Sequence, residues 1–108
     1  MTYEELTAML KEVNLPFAYD HFAEGESPDP PFFVFLIPSE ETFGADNIVY
    51  ASFPEVNVEL YTDKKDPEAE AQIEAVLTGH GQFYEKSEVW IESEKLYEVL
   101  YQMEVLHG

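Results

Sequence analysis

The chain has 108 residues, a length that fits one hydrophobic core, and we take residues 1–108 as a single domain. It carries 23 Asp and Glu against five Lys and no Arg, and the resulting net charge of −18 argues against binding to phosphate groups or nucleic acid. Since 45% of the residues are hydrophobic and 15% are aromatic, the acidity does not indicate disorder, and the lack of cysteine excludes disulfides and thiolate chemistry.

The first predicted element is an amphipathic helix of about twelve residues. Thr2 and Glu5 have the spacing of a capping box, and apolar residues follow at positions 6, 9, 10 and 13. Pro16 prevents the helix from continuing, and residues 17–22 alternate in a way that predicts a strand with a partly polar face. The acidic N-terminus does not fit a signal peptide, and the longest apolar run, 32–37, is too short to cross a bilayer.

The middle of the chain alternates between loops and extended segments. Residues 24–31 are rich in proline and acids and predict a loop, whereas the apolar run 32–37 predicts a central strand that is covered on both faces. Residues 39–47 predict a second loop, and 48–53 predict a further strand before Pro54 breaks the chain. The strict alternation that begins at Val56 predicts a strand with one core face and one wet face.

The last part of the chain predicts a helix followed by a hairpin. Asp66 and Pro67 have the pattern of an N-cap and a first helical residue, and a glycine at 79 or 81 ends this helix. Residues 83–91 predict a strand and 92–95 a turn. Residues 96–106 fit a strand and a helix equally well by periodicity, and we choose strand because Tyr and Val are frequent there. The fold class is therefore α+β, with two helices on an antiparallel-rich sheet of about five or six strands in the order α-β-β-β-β-α-β-β.

No spacing in the sequence points to catalysis, a cofactor or a metal. With 23 acids, pairs of carboxylates meet by chance, so they are poor indicators of general acid and base chemistry. Glu24, Glu26 and Asp29 lie in one loop but lack the spacing of a calcium loop, and the three histidines lack a metal-binding partner motif. We therefore expect no catalytic, cofactor-binding or metal-binding residues, and no specific nucleic-acid or membrane binding.

Contact with other proteins is the remaining expectation. Tyr61, Tyr97 and Tyr101 lie among polar neighbours, and exposed tyrosines are favoured at protein interfaces, although a half-buried position in a sheet explains each of them as well. The two long loops are the other candidates for contact because the fold does not need them for closure. The full set of interface candidates is Glu24, Glu26, Asp29, Phe43, Tyr61, Tyr97 and Tyr101.

The segments VELYTDKKDP (58–67) and VWIESEKLYEVLYQMEV (89–105) resemble those of small tail-completion or tail-terminator proteins from siphophages and prophages of Gram-positive bacteria. The resemblance covers most of the chain and carries no catalytic motif. It implies a subunit of a ring, commonly sixfold, at the head-proximal end of the tail tube, with the major tail protein and head-tail connector proteins as partners. It further implies assembly in the host cytoplasm and a final place in the virion tail.

Three other readings stay open from the sequence. A head-tail connector component of similar size would show the same segments. An acidic protein that mimics DNA and blocks a nucleic-acid-binding partner would have the same charge, but it requires carboxylates along one elongated face. A small hydrolase with paired carboxylates requires a concave pocket with perturbed acids, for which the sequence offers no sign.

Overall fold

The computed structural model describes residues 2–23, 25–38 and 55–105, which form two helices and one five-stranded sheet. In chain order the elements are α1 (Tyr3–Leu10), β1 (Phe17–Tyr19), β2 (Phe32–Leu36), β3 (Glu55–Thr62), α2 (Pro67–Gly79), β4 (Tyr84–Ile91) and β5 (Leu96–Glu104). The predicted α+β class and the two helices are confirmed. The predicted strand at 48–53 lies outside the described residues.

Both helices begin as predicted. The Thr2 side chain accepts a hydrogen bond from the Glu5 amide, and the Glu5 carboxylate accepts one from the Thr2 amide, which completes the capping box of α1. Hydrogen bonding of the Glu5 carboxylate to the backbone and side chain of Thr2 lowers the pKa of Glu5. Helix α2 is capped by Asp66, whose carboxylate accepts a 3.0 Å hydrogen bond from the Ala69 amide.

The ends of the first two elements differ from the prediction. Helix α1 has eight residues instead of about twelve, because the chain continues in a tighter turn with hydrogen bonds from the Glu12 and Val13 amides to the Met9 and Leu10 carbonyls. This turn still buries Val13. Strand β1 stops at Tyr19, short of the predicted residue 22, because Asp20 has a φ of 67°, which is incompatible with an extended strand.

The sheet has the order β1-β2-β3-β5-β4 and is mixed. The β1 strand runs parallel to β2, whereas the other neighbours are antiparallel. Strand β2 is an inner strand, and four of its five residues are buried, as its apolar run predicted. The short edge β1 and the eight-residue edge β4 are the two ends of the sheet.

The core lies between the helices and one face of the sheet, which we call the covered face. Alternate residues of β3 point to this face, and Val56, Val58 and Leu60 have no exposed surface. Leu6 and Leu10 of α1 and Ile73 of α2 are fully buried in the same cluster. We call the opposite side of the sheet, which carries Val34, Glu59 and Leu100, the open face.

Residues 96–104 form a strand, which confirms the choice made between two equal periodicities. Strand β5 pairs with β3 on one side and β4 on the other over eight residues each, so its backbone donors and acceptors are satisfied by neighbours in the sheet. The hairpin turn before it contains Lys95 with a φ of 53°. A helix at this place would leave β3 and β4 without a shared neighbour.

Candidate functional site

The open face carries a concave groove. It has a volume of about 450 Å³, and its apolar lining includes Phe22, Phe32, Ile91 and Leu96. Asp20, His21 and Glu94 also line it, so the groove combines an apolar floor with charged and polar groups. Such a combination is typical of a site that accepts a side chain or a short segment of another protein.

Aromatic packing builds the floor of this groove. The register of β2 and β3 places Phe32 directly opposite Tyr61, and their rings stack with centroids 5.6 Å apart. The ring of Phe22 meets Phe32 edge to face at 5.4 Å. These contacts hold Tyr61 in one position beside the groove.

Tyr61 lies between two carboxylates on the open face. Its hydroxyl oxygen is 2.8 Å from Glu59 Oε1, on the same strand, and 2.8 Å from Glu98 Oε2, on the neighbouring strand β5. A tyrosine hydroxyl has one proton, so it can donate only one of these two hydrogen bonds at a time. The second carboxylate must either hold a proton of its own or remain without a donor from Tyr61.

The pKa values of this cluster reflect its burial. Burial raises the pKa of Glu59, against the hydrogen bond from Tyr61, and the negative charges of Glu98 and Asp20 raise it further. Burial and the two carboxylates also raise the pKa of the Tyr61 hydroxyl far above its ordinary range. The open face therefore holds partly desolvated negative charge, which a cationic group from a partner would balance.

A second charged cluster lies on the covered face and has a structural role. Glu70 of α2 is buried, and its carboxylate contacts Lys86 Nζ at 2.7 Å and Lys65 Nζ at 2.9 Å. Lys86 also contacts Glu74 at 2.7 Å, and the Tyr101 hydroxyl donates to the same carboxylate at 2.8 Å. This cluster joins α2 to the sheet.

The lysines of this cluster set the pKa values around them. Although burial alone would raise it, hydrogen bonds from Lys86 and Tyr101 hold the pKa of Glu74 below its ordinary value. A contact with Lys65 and a hydrogen bond from Tyr97 lower the pKa of Glu88. The stability that these lowered values contribute is present above the ordinary carboxylate pKa and is lost as the pH falls through the lowered values.

The three tyrosines proposed as interface residues occupy different positions. Tyr61 is half-buried at the groove, and Tyr97 is half-buried on the covered face, where its hydroxyl donates to Glu88. Tyr101 is fully buried, because its register with Val58 and Lys86 points it towards α2. It is therefore not available on the surface of the subunit, contrary to the expectation of a polar, exposed environment.

The remaining interface candidates lie in or near the two long loops. Glu26 and Asp29 are exposed. Glu24 and Phe43 lie outside the described residues, so the structure does not bear on them. The five candidates within the described residues do not come together in one site.

Sequence reasoning did not identify Glu59, Glu98 and the aromatic floor of the groove as one site. The alternation of β3 did place Glu59 on its wet face. The pairing of β3 with β5, which brings Glu98 next to Tyr61, has no signal in the local sequence because it depends on the order of strands in the sheet.

The described histidines form pairs with single acids. His21 Nδ1 is 3.0 Å from Asp20, and His80 Nε2 is 2.9 Å from Glu12, which joins the ends of the two helices. Among residues 2–23, 25–38 and 55–105, no three acids or histidines are grouped to hold a metal. No helix in the same ranges is long and apolar enough to span a membrane.

Comparisons of the chain with protein-family models, with curated proteins and with solved structures find no match.

Proposed function

We propose that this protein is a non-enzymatic assembly subunit of a phage tail, a tail-completion or tail-terminator protein that forms a ring and joins the tail tube to the head connector. The observation that carries the proposal is the groove on the open face, where Tyr61 lies between two half-buried carboxylates. A sheet face with an apolar groove floor and negative charge that no nearby cation among the described residues balances is suited to binding another protein. The resemblance of segments 58–67 and 89–105 to tail-completion proteins indicates that the assembly is a phage tail.

The charge of the chain fits a ring through which DNA passes. Six copies would carry six times the −18 formal charge of one chain. A negative lumen lets a polyanion slide, because it offers no cationic group that would hold the phosphates. In this proposal the subunit assembles in the host cytoplasm and stays in the virion tail, where it contacts the major tail protein and the connector.

Disruption of the gene in a phage or inducible prophage tests this proposal. We expect particles with tails of abnormal length, or tails that are detached from filled heads, in electron micrographs of the lysate. Detached tails of normal length would indicate that the protein is a head-tail connector component and not a tail terminator. Normal infectious particles would contradict the proposal. They would favour the alternative that this protein mimics DNA and blocks a nucleic-acid-binding partner.

Complementation with variants tests the carboxylates that lie around Tyr61 beside the groove. Glu98→Lys places a cation where the proposal requires negative charge, and we expect it to abolish plaque formation. Glu55→Lys is the matched control, because Glu55 is an exposed residue of β3 on the same face of the sheet. Folding of both variants is verified by circular dichroism. Equal plaque numbers for the two variants would show that the carboxylates around Tyr61 are not part of a contact surface.

A further inference from the structure

Within residues 2–23, 25–38 and 55–105, strand β4 is an edge of the sheet. Among these residues it pairs with β5 alone, so the backbone groups that point away from β5 form a template for another strand. Of the described residues, the large apolar side chains that are exposed all lie on β4 or directly beside it: Phe83 at 86%, Val89 at 50% and Trp90 at 44%. An eight-residue edge that carries exposed apolar side chains at or beside both ends, around a polar centre, indicates an interaction surface.

We propose that β4 pairs in antiparallel orientation with β4 of a second copy, about a two-fold axis through Ser87, so that two five-stranded sheets become one. In this register Lys86 lies opposite Glu88 of the partner subunit. Tyr84 lies opposite Trp90 of the partner subunit, and Phe83 lies opposite Ile91 of the partner subunit. Each of these pairs occurs twice, since the axis repeats it.

The sequence of β4 selects this register. Axes through Lys86, Glu88 or Glu85 would place each of these charges opposite its own copy, and like charges directly opposite one another destabilise a sheet. An axis through Val89 would place Glu88 opposite Trp90 of the partner subunit. The axis through Ser87 places no like charges opposite one another and matches Lys86 with Glu88, Tyr84 with Trp90 and Phe83 with Ile91, although Glu85 lies opposite Val89. This self-complementarity points to a second copy.

The two faces of the sheet support the same register. Tyr84, Lys86, Glu88 and Trp90 point to the covered face, because they pair with β5 residues of that face. Lys86 of the partner subunit, which contacts Glu70 and Glu74 of its own subunit, would therefore lie beside Glu88, which already contacts Lys65. On the open face, Phe83 of the partner subunit would cover Ile91, which lines the groove.

Cysteine cross-linking tests the register directly, because the chain contains no cysteine. Ser87→Cys places a thiol at the axis, within the reach of a disulfide between paired strands. We expect oxidation of this variant in about 1 M salt, where the Debye length is about 3 Å, to double the mass from 12.4 kDa. A variant that stays at 12.4 kDa would overturn the proposal.

Two further cysteine variants serve as controls for random cross-linking. Glu85→Cys and Val89→Cys are exposed positions on the same strand and face, and each lies opposite the other across the axis. We expect little dimer from either variant alone and a mixed dimer when the two, one with a tag, are oxidised together. Self-dimers of Glu85→Cys as abundant as those of Ser87→Cys would contradict the proposed register.

Fluorescence provides a test on the unmodified chain. Trp90 is the only tryptophan, and pairing would cover it with Tyr84 of the partner subunit. We expect its emission to shift to shorter wavelength as protein concentration rises in about 1 M salt. A shift that requires an added lysine-rich peptide would mean that a basic strand, and not a second copy, occupies β4, and would overturn the proposal.

The β4 contact is independent of the ring. A two-fold contact uses the same surface on both copies, whereas a sixfold ring requires two different surfaces on each subunit. Failure of the cross-linking experiment would therefore leave the proposed tail function untouched, and normal tails after gene disruption would leave the β4 contact untouched.

Discussion

At the scale of single residues, the main feature of the open face is that Tyr61 has one hydroxyl proton but two carboxylate neighbours that could accept it. Both oxygen-oxygen distances are 2.8 Å. Since burial raises the pKa of Glu59, the folded protein binds a proton there more tightly than the unfolded chain does. The stability that this proton contributes is complete below the ordinary pKa of 4.5 and is lost as the pH rises through the raised value.

Replacement of Glu59 by glutamine tests this reasoning. The amide can donate to the Tyr61 oxygen while Tyr61 donates to Glu98, so we expect Glu59→Gln to stabilise the protein at pH 7 by about 1 kcal/mol. The same change should weaken the loss of stability as the pH rises from the ordinary Glu59 pKa of 4.5 towards 7. Urea unfolding across this pH range measures both effects. Glu55→Gln, at an exposed position of the same strand, should leave stability unchanged. If Glu59→Gln destabilised the protein, this would contradict the inference that a proton on Glu59 stabilises the fold.

At the scale of elements, the starts of the helices were predictable because caps are local. The capping box needs only Thr2 and Glu5, and the α2 cap needs only Asp66, Pro67 and the amide of Ala69. The choice between helix and strand for residues 96–104 was not local. It depends on β3 and β4, which lie on both sides of β5 and satisfy its backbone.

The cap of α2 has a measurable effect on stability. We expect Asp66→Ala to destabilise the protein by about 1 kcal/mol, because the Ala69 amide loses its acceptor and α2 loses a negative charge at its N-terminus. Asp63→Ala, at an exposed position three residues earlier, is the control and should have little effect. Urea denaturation measures both variants. An equal loss for the two would mean that the charge of the loop, and not the cap, is responsible.

At the scale of the whole molecule, charge and apolar surface oppose each other. The net charge of −18 makes copies repel one another over about 8 Å at physiological salt. The groove on the open face and the exposed apolar side chains of and beside β4 favour contact. Association therefore depends on salt or on a partner that carries positive charge.

Sedimentation tests this balance. We expect the isolated protein to sediment as a 12.4 kDa monomer at low salt and to associate as the salt rises to about 1 M, where charge repulsion is screened. Self-association should therefore become stronger as salt is added, whereas a complex held together by ion pairs becomes weaker. A tight hexamer at low micromolar concentration and low salt would contradict the prediction.

The sequence by itself determined the fold class, the two helix starts, the alternation of β3 and the turn before β5, because caps, periodicity and turn residues act over a few neighbouring positions. Only the tertiary structure decided which strands are neighbours. That order places Glu98 beside Tyr61, buries Tyr101 under α2 and leaves β4 as an edge. Strand order arises from contacts between distant parts of the chain, and these contacts leave no local pattern to recognise.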